Sequence, residues 1–181
     1  MISICTTLIR LRRDLVVLNL PHLAVILQLL LFTMRSPRPN LGGKQTGVVA
    51  SSLPKWINIS QPLGVDEAKA LARLLESLST KTLVKVHTSS NDPQKAESLA
   101  KPFSKHAAHV LKAYVQASND SLCVLPIAVR KALQPGLFSL CGVTNDFSRD
   151  ALMASISDAG EKAILKGLWK EYEKQRYVGK G

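Results

Sequence analysis

Apolar residues along this chain recur mostly at three- and four-residue steps, the period of helices rather than strands. The densest such pattern runs from Phe103 to Val143. Phe103, Ala107, Val110, Leu111 and Tyr114 share one helical face, and Leu125, Val129 and Leu133 share another. Pro135 follows. Proline lacks a backbone donor and clashes inside a helix, but it fits a first turn. The pattern therefore predicts a third helix beginning near Pro135, with Leu137, Phe138, Leu140 and Cys141 turned inward.

The flanking stretches carry their own patterns. DEAKALARLLESLST predicts a helix whose buried stripe is Ala68, Leu71, Ala72, Leu75 and Leu78, with Asp66 and Glu67 at the positive end of its dipole. Near the C-terminus, Phe147-Ser148 ahead of Leu152 reads as an N-cap with a hydrophobic staple. Asp158-Ala-Gly-Glu161 reads as a capping box, opening a last helix that runs to about Arg176. That helix is expected to bury Ile164, Leu165, Leu168, Trp169 and Tyr172.

The N-terminal stretch is the most ambiguous. Leu15 to Phe32 is apolar enough to suggest a membrane span, but Asp14, Asn19, Pro21, His22 and Gln28 lie in or beside it. These interruptions favour a buried helix pair, roughly 6–19 and 22–34 and divided by Pro21. The expected organisation is an apolar helix pair at 1–35 continuing an upstream helical repeat, a loop or linker at 36–62, and a helical domain at 63–181. Prolines and glycines in SPRPNLGGKQTG support the linker, and Trp56 and Ile57 are expected to pin it onto the core. LVKV, inside the polar stretch 80–101, alternates like a strand, but one such run makes no sheet alone. The fold class is all-α: a helical bundle forming the end of an α-solenoid.

Composition agrees and then adds charge. The chain has 181 residues, 46% hydrophobic and only 5% aromatic, which suits helices better than a sandwich or barrel. Its formal net charge is +11, which attracts nucleic acid, anionic membrane or acidic protein without choosing among them. The excess sits at the ends: seven Arg or Lys against one acid in residues 1–60, eleven against nine in 61–160, six against three in 161–181. Three cysteines without a CxxC pair argue for a reducing compartment rather than a disulfide framework.

Catalytic equipment is scarce. His106 and His109 have a spacing that could hold a metal, but no Glu, Asp or Cys partner stands nearby in sequence. Ser98 and Lys101 match a serine–lysine pattern without its companion motifs. Gly42, Gly43 and Gly47 lack the context of a phosphate loop. No catalytic residue, cofactor or metal is expected. The strongest functional candidate is a basic line in the last helix, Lys162, Lys166, Lys170 and Lys174, read equally well as a solvated face or a binding surface.

Several strings resemble the C-terminal domain of the fungal nucleolar pre-ribosomal RNA processing factors of the large-subunit pathway, the Urb/Npa-type nucleolar assembly proteins. They are RRDLVVLNLP, QPLGVDEAKALARLL, AESLAKPFSKHAAHVLKAYV, VRKALQPGLFSLCGV, SRDAL and LWKEYEKQRYVGKG, together covering most of the chain from about Arg12 to Gly181. The resemblance implies the last part of a large helical-repeat protein, acting as a non-enzymatic nucleolar scaffold in early large-subunit assembly and pre-rRNA processing. It implies other assembly factors, including a DEAD-box RNA helicase, as partners, with pre-rRNA contacted directly or indirectly and no membrane. It brings no catalytic residues. The alternative is a direct RNA-binding module in which Lys162, Lys166, Lys170, Lys174, Arg176 and Lys180 meet phosphate. The tail is expected to dock on a partner, with Tyr172 and Tyr177 supplying buried area beside the basic residues.

Overall fold

A computed structural model describes residues 2–83 and 96–178. Among them the chain is all-α. The helices are α1 (Ile2–Leu11), α2 (Arg13–Leu18), α3 (Leu20–Thr33), α4 (Gly43–Ser52), α5 (Val65–Ser79), α6 (Ala100–Ser118), α7 (Ile127–Val143), α8 (Asp146–Ser155) and α9 (Ala159–Val178). Two antiparallel pairs of two-residue strands interrupt them: β1 (Ser36–Pro37) with β4 (Cys123–Val124), and β2 (Thr82–Leu83) with β3 (Ala96–Glu97). LVKV thus contributes its Leu83 to a pair that needs a distant partner; its other three residues lie outside the described residues.

The centre is the crossing of α5 on α7, flanked by α6. α5 buries Ala68, Leu71, Ala72, Leu74, Leu75 and Leu78, the expected stripe widened by Leu74. Its start is held by Glu67, whose carboxylate accepts from the backbone N–H of Gly64 at 2.8 Å. α6 adds Phe103, Ala107, Val110 and Leu111, all fully buried. Leu137 and Leu140 are buried as expected. The helix start expected at Pro135 is not there: α7 runs unbroken from Ile127 through Pro135. A proline inside a helix costs about 3 kcal/mol. Here its ring faces solvent, and the next residue explains why the helix continues. A Cβ at Gly136 would lie 2.7 Å from the Cα and 2.8 Å from the carbonyl oxygen of Ala72. Gly136 is where the α5 and α7 backbones touch, and packing on both sides of Pro135 outweighs the missing hydrogen bond.

Four further expectations are corrected. The residue capping α8 is Asn145, not Ser148: its side chain accepts from the Ser148 N–H at 2.7 Å, and Phe147 is too exposed to act as a staple. Residues 36–62 hold α4, which a run rich in glycine and serine did not announce. Gly42 starts it, donating its N–H to Gln45 at 3.2 Å, while Val49 alone is buried. Trp56 does not pin this stretch, being 65% exposed. At the N-terminus the pair is three helices, broken at Arg12 and Asn19, with Pro21 in the first turn of α3. Ile9, Leu20, Ala24, Leu27 and Leu31 are buried, so the segment joins the core through one side only.

Two polar struts fasten that segment. Arg13 is buried and donates to the carbonyl of Thr80 at 2.7 Å, a cation at the negative end of α5. Arg35, also buried, pairs with Asp120, donates to the Phe32 carbonyl at 2.9 Å and lies 4.6 Å over the Phe32 ring. The other oxygen of Asp120 accepts from the N–H groups of Leu122 and Cys123, and the Arg38 N–H donates to the Leu122 carbonyl at 2.9 Å. α3 is thereby clasped to the turn after α6. No helix among the described residues is long and apolar enough to cross a membrane.

Candidate partner-binding surface

α9 begins where the sequence expected. Asp158 accepts from the Glu161 N–H at 2.8 Å and from Asn119 at the end of α6, also at 2.8 Å. Gly160 is tight against this cap, since a Cβ there would sit 2.7 Å from the Asn119 side-chain oxygen. Leu165 and Leu168 then bury against α6 and α7, with Ile164, Trp169 and Tyr172 half-buried around them. The Tyr172 ring lies 6.0 Å from both Phe138 and Trp169, in tilted arrangements that aromatic pairs favour. Gln134 of α7 donates to Glu171 at 2.8 Å. Core contact therefore ends at Tyr172, and α9 continues beyond it to Val178.

The basic residues divide along this axis. Lys162 is half-buried; Lys166, Lys170, Lys174, Arg176 and Tyr177 are exposed. A four-residue step overshoots one helical turn by about 40°, so the lysines sweep about 120° around α9 from first to last. They form a spiral edge instead of a straight line. Among the described residues none of the four lysines enters an ion pair, while Glu171 is engaged by Gln134. Tyr177 is 73% exposed on the same side as Lys166 and Lys170. Trp169 has a buried indole N–H without a hydrogen-bond partner, which a spacing argument could not have found. Lys180 lies outside the described residues.

The weaker candidates are scattered. His106 is half-buried beside the Phe103 ring at 6.0 Å, and burial lowers its pKa, with Lys105 and His109 adding to the shift. His109 is exposed on the next turn. Ser98 precedes α6 and Lys101 stands exposed on its first turn. Among the described residues there is no group of three or more His, Cys, Asp or Glu side chains that could hold a metal ion. Burial raises the pKa of Cys141 strongly, the condition of an inert core thiol.

Fold and surface together define an all-α protein whose last helix extends a basic, tyrosine-bearing end past its core. The chain belongs to the Urb2/Npa2 family, whose family model matches residues 1–180. That membership gives it a role in ribosome biogenesis, a process of the nucleus, within a family that is generally non-enzymatic. No curated protein and no solved structure matches the chain.

Proposed function

We propose that this chain is a non-enzymatic scaffold for early nucleolar large-subunit precursors, supporting pre-rRNA processing by holding assembly factors together. The observation that carries the reading is the free end of α9. Lys170, Lys174, Arg176 and Tyr177 stand on a helix that the core fixes only as far as Tyr172. An anchored helix loses little further entropy on binding, and its tyrosine and arginine are residue types that dominate interfaces. In this reading the helical domain closes the end of an α-solenoid, and its partners are other nucleolar assembly factors, among them a DEAD-box RNA helicase.

Changing Lys170, Lys174 and Arg176 together to Glu tests it. The fold should survive, since exposed charges contribute little to stability, while incorporation into precursor particles should fall sharply. Normal incorporation of the folded variant would overturn the reading. The unpaired lysines favour a second reading, direct contact with pre-rRNA phosphate. Salt separates the two: phosphate contacts make affinity fall steeply with ionic strength, and a largely apolar protein interface does not.

A further inference from the structure

Between α1, α5 and α7 lies an open cleft of about 410 Å³, walled by Arg10 of α1, Arg73 and Glu76 of α5 and Ser139 of α7. That volume falls in the range of ligand sites, about 300–1,000 Å³. Its α5 and α7 walls are fixed close by, because Ser139 stands one turn beyond Gly136, where the two backbones meet. The cleft also lies off the apolar face that α1 to α3 leave open. Arg10 is about 100° or more around α1 from the exposed Ile4, Leu8 and Leu11.

The chemistry of the lining has two parts. Arg10 and Arg73 are exposed and enter no ion pair among the described residues. Two guanidinium groups, whose planar forks match phosphate oxygens, thus line one cleft. The buried Arg13 adds positive charge at the rim, donating to the Thr80 carbonyl at 2.7 Å. The rest of the lining accepts. Thr6, Ser77 and Thr80 spend their hydroxyl protons on the carbonyls of Ile2, Leu74 and Glu76, at 3.1, 2.6 and 2.9 Å, and so can only accept from a ligand. The Glu76 carboxylate, one turn from Arg73 yet paired with neither arginine, accepts as well. A phosphate alone would meet Glu76 as a like charge, and a phosphoserine side chain brings the anion without donors. A ribonucleotide satisfies both parts, with a phosphate for the arginines and a 2′-hydroxyl and base amino groups for the acceptors.

We propose that this cleft holds one nucleotide of single-stranded RNA, its phosphate between Arg10 and Arg73 and its 2′-hydroxyl toward Glu76. No residue of α9 lines it, and the proposal is independent of both roles considered for that helix. Its test uses the full chain with a tetranucleotide RNA, the DNA of the same sequence and a phosphoserine tetrapeptide, followed by amide chemical shifts. RNA should move the amides of Arg10, Arg73, Glu76 and Ser139 and bind several-fold more tightly than the DNA. Arg10→Gln with Arg73→Gln, both at exposed positions, should keep the thermal midpoint and weaken RNA binding at least about tenfold. Glu76→Gln should strengthen DNA binding by removing a like charge, bringing the ratio of RNA to DNA affinity toward one. The triple change on α9 should leave the shifts in the cleft in place. Undiminished RNA binding by the folded double variant, equal affinity of the unmodified chain for RNA and DNA, or tighter binding of the phosphopeptide would each overturn the proposal.

Discussion

The two ends of this molecule use apolar residues differently. Four exposed large hydrophobic residues lie from β4 onward, in the part built on α6 to α9, whereas nine lie between Ile4 and Leu29. α6 and α7 have finished surfaces, an apolar side inward and a polar side outward. α1 to α3 form a layer with apolar residues on both sides, fastened by Arg13 and by the Arg35–Asp120 pair. The contrast separates residues that make the fold from residues that the fold displays. On one side a substitution should act through stability, on the other through association.

The largest effect is expected at the α5–α7 crossing. Gly136→Ala drives a methyl group into the backbone of Ala72, which cannot move aside as a side chain could. It should destabilise the protein by more than about 3 kcal/mol, seen as a fall in the thermal or urea midpoint. Retention of the original midpoint would mean that the two helices are not in contact there. Next comes the clasp. Asp120→Ala leaves Arg35 buried without its anion and frees two backbone N–H groups, a loss of about 2–3 kcal/mol. Amide exchange should quicken in α3 and much less in α7, which would show that the N-terminal layer opens separately. The smallest effect belongs to Leu18→Ser with Ile26→Ser. Both sites are exposed, so folding stability should change by no more than about 0.5 kcal/mol per site. A drop of several kcal/mol would place this face in the core and erase the contrast.

Much of this was legible before any coordinates. The α5 stripe, the α6 face and the Asp158 cap each rest on local spacing, and each is where spacing put it. The largest misreading has a plain cause: the deciding contact was distant in sequence. Pro135 is a breaker by local rules, and only Ala72 shows why the helix passes through it. Trp56 looks like an anchor because aromatic rings usually are, and the structure offers it nothing to anchor to. α4 has a helix's hydrogen bonds without a helix's apolar period. At the candidate surface the lysines and their sweep around α9 follow from the spacing, whereas the end of core contact at Tyr172 required the packing. The exposed seam on α2 and α3 was readable as apolar sequence, but which of its two sides stays open was not.

The Arg35–Asp120 pair also ties the chain into a ring, since its partners stand 85 residues apart. Closing such a ring has an entropic cost that grows only with the logarithm of its length, so doubling it would add about 0.6 kcal/mol. Extra residues inserted between β2 and β3 fall within this ring and should be borne easily. One exchanged side chain at the clasp costs several times as much as many added residues between its ends. An insertion in this part of the chain should therefore be tolerated far better than a substitution at either residue that closes the ring.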